Sequence, residues 1–383
     1  MQRNQKNKRM IRPFVFGVAV DTEHFIGRQQ EIENLSSNLI HGINTILIAP
    51  RRWGKTSLVN HVAENIHDKD VKIIHIDIFS CRNEYDFYNV FAAAILQQTS
   101  SRIEEWKQYA QEFLTRLVPK ISFSAEPNQE YSISLGITPK THTPEEILNL
   151  PEIIAEKNGW HLAICIDEFQ QIGEFPESLS IQKRMRTVWQ HQKNVSYCLY
   201  GSKKHMMSVL FQQKSKPFYK FGKMMYLNVI PTTEWIPYLQ GRFKLEGKIL
   251  PKDIAIRICD AVENHSSYVQ ELAYDTLLCT KGTETTDEDF AQAFRNLLDD
   301  NTALFTEKTE RLTTYQLNFL RAILDDVHDG FSKSDIRDTY NLGSPTNIVR
   351  IKDALIEKEI IDITDKGVFF ADPILMHWLR RKL

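Results

Sequence analysis

Five short, predominantly apolar runs punctuate the first 230 residues: 43–48, 71–79, 161–167, 195–200 and 224–230. Short apolar runs of this kind predict strands buried in a parallel sheet. Between them the apolar positions fall three and four apart. Ile32, Leu35, Leu39 and Ile40 share one face, introduced by a turn at Ile26, Gly27 and Arg28. Helices are predicted over 86–98, 145–157 and 181–190 as well. Strands alternating with helices predict an α/β fold, with a five-stranded parallel sheet and helices on both faces.

Two stretches depart from that rhythm. Residues 101–150 hold two short alternating runs, ISFSA and YSISLGI, around Glu126, Pro127, Asn128 and Gln129, which predicts a hairpin within an insertion. From about residue 246 the pattern turns helical, over 254–262, 268–279 and 287–298, and predicts a small helical lid. Beyond residue 305, helices are expected at 313–324, 333–340 and 345–357. The last is capped by Ser344 and turns Ile348, Ile351 and Leu355 inward. The segment IIDITDKGVFFADP then reads as strand, Asp365-Lys366-Gly367 turn, strand. Three helices and a β-wing predict a winged helix. The expected domains are a core over 1–245 with its insertion, a lid over 246–305 and a winged helix over 306–383.

Composition excludes little. The 383 residues carry a formal charge of -2, with 42% hydrophobic and 25% charged residues, ordinary for a globular chain. No global field draws the chain to nucleic acid or membrane. No apolar run approaches the roughly 18 residues of a membrane helix. The start, MQRNQKNKRMIRP, is basic but leads into no signal-peptide core, and is expected to be a mobile arm. Cys81, Cys165, Cys198, Cys259 and Cys279 show neither a CxxC pair nor metal spacing, so reduced thiols in a cytoplasm are expected.

The chemistry gathers at INTILIAPRRWGKTSL. An apolar strand, a tight loop and a Gly-Lys-Thr opening a helix make a phosphate-binding loop, because backbone N–H groups and the helix N-terminus must converge on phosphate oxygens. The loop and helix start run through Ala49, Pro50, Arg51, Arg52, Trp53, Gly54, Lys55, Thr56 and Ser57, with Ala49 where the usual pattern has glycine. Lys55 is expected on the terminal phosphates and the Thr56 hydroxyl on Mg²⁺. A second motif, HLAICIDEFQQI, ends an apolar strand in Asp167 and Glu168. Carboxylates at the C-terminal end of a parallel strand stand where such sheets place their chemistry. Asp167 is expected to hold Mg²⁺ and Glu168 to polarise the attacking water. Two residues keep two readings each. Ser202, at the tip of the next strand, is a γ-phosphate sensor or a helix cap. Arg28 touches nucleotide or is a solvated helix-start residue.

With these pieces the chain resembles the prokaryotic-type AAA ATPases, often called the archaeal ATPase family. They are relatives of the signal-transducing STAND ATPases and, more distantly, of origin-recognition ATPases. The resemblance is carried by RPFVFGVAVDTEHFIGR, IAPRRWGKTSL, AICIDEFQQI, LYGSKKHMM and FFADPILMHWLRRKL, and spans almost the whole chain. It implies an ATP- and Mg²⁺-using core of the Asp-Glu type, a helical lid and a C-terminal winged helix. The family's lid often carries a Gly-x-Pro-like turn near the nucleotide. Here the stretch is Asn264-His265-Ser266-Ser267-Tyr268, lacking both, so no nucleotide contact is carried over to His265.

Three readings stay open: an ATP-hydrolysing switch acting on a protein partner, an oligomeric ATPase gripping DNA, and a nucleotide-binding module with little turnover. An oligomer formed in the ATP state would use an arginine finger, with Arg184, Arg186 and Arg242 as candidates. Residues 311–383 hold 11 Lys+Arg against 11 Asp+Glu, so weak DNA binding at most is expected from the isolated winged helix. Thr346, Asn347, Arg350 and Lys352 are its outward candidates, with Arg380, Arg381 and Lys382 at the C-terminus and the wing's single lysine, Lys366.

Overall fold

In the computed structural model, strand β1 (Thr45–Ile48) has every residue buried and is flanked on both sides by parallel partners. The structure describes residues 12–100, 120–121, 133–134, 143–364 and 366–383. They form two units, one of residues 28–51 and 55–228, the other of residues 12–27, 52–54 and the described residues from 229 on.

The first unit is a parallel sheet built from β1, β2 (Val71–Asp77), β5 (His161–Asp167), β6 (Val195–Gly201) and β7 (Lys223–Tyr226), in the order β2-β5-β6-β1-β7. Between β2 and β5 lies the short antiparallel pair β3 (Lys120–Ile121) and β4 (Ile133–Ser134), which joins the two alternating runs of the expected hairpin. The rest of the expected insertion up to residue 142, the basic arm up to residue 11 and Asp365 lie outside the described residues. Helices α1 (Gln29–Ile40), α2 (Lys55–Asn65), α3 (Glu84–Thr99), α4 (Pro144–Asn158), α5 (Ser178–Trp189) and α6 (Lys204–Gln212) complete the unit.

The elements begin where side chains satisfy the first free N–H groups of a helix. Asn83 accepts from Tyr85 N and Asp86 N, and Thr143 and Glu146 make a reciprocal capping box at α4. The central strands are buried because both faces are covered: Phe87, Phe91, Ile154, Met185 and Leu210 pack with Ile46, Ile164 and Leu199 in one cluster, while α1 and α2 bury Leu35, Leu39, Leu58 and Val62. Trp189 stacks on Tyr197 with centroids 3.9 Å apart.

Two strands are shorter than their apolar runs. Pairing in β2 stops at Asp77, and Phe79 is 67% exposed, because Asp77 Oδ1 accepts the Phe79 N–H and turns the chain. The run 224–230 pairs only as far as Tyr226, as an edge strand with partly exposed faces.

The second unit continues with α7 (Thr232–Leu245), α8 (Lys252–Ala261), α9 (Ser266–Cys279), α10 (Asp287–Asp300), α11 (Thr302–Glu310), α12 (Thr314–Leu324), α13 (Ser334–Tyr340) and α14 (Pro345–Glu357). It ends in the antiparallel pair β8 (Ile361–Thr364) and β9 (Gly367–Phe370) and helix α15 (Pro373–Lys382). The helices α7, α11 and α15 were not anticipated from periodicity. Ser344 caps α14 as expected, accepting from Asn347 N at 3.2 Å. Tyr268 on α9 donates to Asp372 Oδ2 at 2.9 Å, while the other Asp372 oxygen caps α15.

Among the described residues no helix is long and apolar enough to cross a membrane. All five cysteines are free.

Candidate phosphate-binding and catalytic site

The candidate site is built at the C-terminal ends of β1, β5 and β6, which register ties together: Ile48 pairs with Gly201, and Ile166 with Leu199. After β1 the chain passes Ala49 and Pro50 and turns through Arg51, Arg52, Trp53 and Gly54 into α2. The turn uses left-handed backbone at Arg52 (φ 63°) and Gly54 (φ 88°), the second of which glycine adopts without steric cost. Ala49 has no positive φ, so the missing first glycine needs no backbone compensation.

Lys55 opens α2 with its Nζ donating to the carbonyls of Ala49 and Pro50, each at 3.1 Å. It is only 5% exposed. Although it sits at a loop end, Lys55 is not exposed, because the loop folds its own carbonyls over the ammonium. Next in the chain, Thr56 Oγ1 donates to Asp167 Oδ2 at 2.7 Å. The two residues assigned to Mg²⁺ from separate motifs meet directly. Burial pushes the Asp167 carboxyl up to about 6, against the hydrogen bonds from Thr56 and from Glu168 N. A half-buried carboxylate kept next to a hydroxyl supplies the hard oxygen donors that Mg²⁺ takes. Ser57 is buried within α2.

Glu168 follows β5 with φ 53°, left-handed backbone that costs a non-glycine residue about 1–3 kcal/mol. One of its oxygens, Oε2, accepts from Ser202 Oγ at 3.2 Å and also from Gln170 Nε2. Ser202 thus stands beside Glu168, just past the tip of β6, and the N-cap of α6 is the next residue, Lys203. Gln170 went unnoticed in the sequence. Its one signal was a polar residue three positions past the strand end, between the apolar Phe169 and Ile172.

Arg28 is neither solvated nor open. It is 6% exposed, and its guanidinium donates to the Asn228 carbonyl at 2.9 Å. The three candidate finger arginines also have partners. Arg184 pairs with Glu84 at 3.0 Å, Arg186 lies over the Phe221 ring, and Arg242 is 7% exposed and held by Glu23.

In the second unit, Trp53 meets the His265 ring edge-on at 6.3 Å, and His265 packs on Tyr268. The outward set on α14 is also corrected. Thr346 and Arg350 are exposed, but Asn347 donates to the Leu342 carbonyl and Lys352 lies over Phe331. Arg380 donates to the Leu324 carbonyl, Arg381 pairs with Asp299, and Lys382 lies over Trp378.

No protein-family profile matches the chain, and no curated protein matches it in sequence. Solved structures do match. A Walker-type ATPase of Pyrococcus abyssi is 17% identical, with a TM-score of 0.69, over 96% of this chain and 100% of that one. The ORC2 protein of Aeropyrum pernix, in its ADPNP–ADP complexes, is 15% identical with a TM-score of 0.58 over 94% and 96%. Together with the parallel sheet and the strand–loop–helix at Lys55, these matches give the fold: an α/β P-loop fold followed by a helical C-terminal region.

Proposed function

We propose that the chain binds ATP with Mg²⁺ on the loop 49–57, hydrolyses it, and uses the cycle as a switch that changes protein contacts of its C-terminal unit. The observation that carries this reading is the 2.7 Å bond from Thr56 to Asp167 with Glu168 next in the chain. Sequence motifs 111 residues apart thereby form one Mg²⁺ and water-activating cluster. The captured ADPNP and ADP of the Aeropyrum ORC2 protein support adenine nucleotide as the class of ligand.

In this reading Lys55 exchanges the Ala49 and Pro50 carbonyls for phosphate oxygens, and N–H groups of the loop and the start of α2 complete the cradle. Bound at Thr56 and Asp167, Mg²⁺ would neutralise charge on the β- and γ-phosphates. Glu168 orients the attacking water and takes up its proton. Ser202, beside it, senses the γ-phosphate and relays its loss to β6 and α6. Residues 306–383 act as a winged helix. We assign its main contacts to protein, because α14 offers one exposed arginine beside the exposed Val349 and Asp353, and the terminal basic residues are already engaged. Free thiols fit a reducing cytoplasm.

The test is steady-state ATP hydrolysis with and without Mg²⁺, beside the Glu168→Gln chain. Turnover in the wild type that Glu168→Gln removes while still binding ATP supports the reading. Turnover equal in both chains overturns it.

A further inference from the structure

Gln170 is 3% exposed, in the short 3-10 helix Phe169–Glu174 that follows β5, and its amide nitrogen donates to Glu168 Oε2. Its amide oxygen has no hydrogen-bond partner among the described residues. A buried amide that satisfies only one end is expensive, so the bond it does make must be the reason it is there. The oxygen lies against Gly201, where a Cβ would overlap it. Gly201 has no positive φ, so its backbone does not require glycine. The requirement for glycine comes from the space that the Gln170 amide occupies.

From this we infer that Gln170 is the positioning residue for Glu168, and that Gly201 is glycine to keep the Gln170 amide in place. The inference rests on the ATPase reading and deepens it. Glu168 needs an orienting partner because a general base works only when held in one geometry, and its side chain leaves a left-handed residue just past a strand end. Ser202 donates to the same oxygen, but as a phosphate sensor it has to leave. Gln170 stays, since it is buried and touches no reacting atom in this arrangement. With Oε2 anchored, Oε1 is the oxygen left for the water. Gln170 thus plays the part of the third group that orients a general base.

The experiment uses three substitutions in the full chain. Gln170→Met removes the donor while keeping length and volume. Gly201→Ala leaves both functional side chains intact and pushes the Gln170 amide off Glu168, a cheap shift because the displaced atoms end a side chain. Gly173→Ala is the control, since its new methyl would meet only Met206 and Leu210 at ordinary separations. Gln170→Met and Gly201→Ala should each lower kcat about 100-fold, the usual cost of a misplaced catalytic group, with ATP affinity and Tm near wild type. Neither should lower single-turnover hydrolysis further in the Glu168→Gln background, because the residue they position is already disabled.

Unchanged kcat in both variants, a full additive loss on Glu168→Gln, or an equal loss in Gly173→Ala would overturn the inference. Crystal structures of the wild-type and Gly201→Ala chains give a readout independent of turnover. A Glu168 carboxylate that leaves its wild-type position supports the inference, and one that stays put refutes it. A wild type that fails to hydrolyse ATP sinks the ATPase reading alone, since those structures still judge the anchor.

Discussion

The Thr56 hydroxyl donates to Asp167 Oδ2 at 2.7 Å, joining the first turn of α2 to the end of β5. Neither residue reaches the other by local structure. Parallel pairing of β1 with β6 and of β6 with β5 brings both strand ends to one edge of the sheet. The bond also opposes the burial that pushes Asp167 up to about 6. Asp167→Asn should therefore abolish the Mg²⁺ dependence of ATP binding, and Thr56→Val should weaken it, both read by nucleotide titration with and without Mg²⁺. Equal Mg²⁺ dependence in wild type and Asp167→Asn would remove Asp167 from the metal site.

Lys55→Ala should weaken ATP binding by about 100-fold, the equivalent of two charge-assisted contacts at about 1.5 kcal/mol each. Because Lys55 is buried on two loop carbonyls, the substitution also frees those carbonyls, and faster hydrogen exchange is expected at the loop. Fluorescent-nucleotide titration on a folded variant measures the first effect. Unaltered affinity would show that the loop does not cradle phosphate.

Glu168→Gln should retain ATP affinity and lose about 10²–10⁴-fold in turnover, since the amide keeps the shape but accepts no proton. Its hydrogen bond from Ser202 survives on the remaining carbonyl oxygen, so the fold around it should hold. Pre-steady-state hydrolysis distinguishes loss of chemistry from slow product release.

Stability should depend on pH through Asp275. Burial, with Asp300 nearby, raises its carboxyl from 3.8 to about 6. A raised folded value means that the fold favours the protonated acid. That contribution is complete below about pH 4 and is lost as pH rises through about 6. Asp275→Asn should thus melt higher than wild type at pH 8, and the gap should close toward pH 4. Parallel melting curves at any pH would contradict the assignment.

DNA binding by the full chain should be weak and salt-sensitive. The three terminal basic residues already have partners, and α14 mixes one exposed arginine with an exposed valine and an aspartate. Mobility shift across a salt series should give a slope no steeper than about four phosphate contacts. Tight, sequence-selective binding near physiological salt would overturn the protein-contact proposal.

The P-loop sheet was legible because its central strands β1, β5 and β6 are buried on both faces and therefore mostly apolar, an arrangement that local sequence records directly. The loop's Gly-Lys-Thr and the Asp-Glu strand end were legible because the phosphate and metal chemistry proposed for them admits few side chains. The helices α7, α11 and α15 do not stand out by apolar spacing alone, and nothing in their local sequence separates them from the helices that do.

What sequence alone determined was the kind of each element and the identity of the chemical groups. Both follow from short-range patterns: apolar runs, helical spacing and a handful of irreplaceable polar residues. Tertiary structure alone decided which groups meet. Lys55 is buried because loop carbonyls fold over it, Asn347 and Lys352 turn to their own unit, and Gln170 reaches Glu168 only where a strand from 31 residues on presents a glycine. Each outcome depends on the space that distant segments leave, and no single segment carries that information.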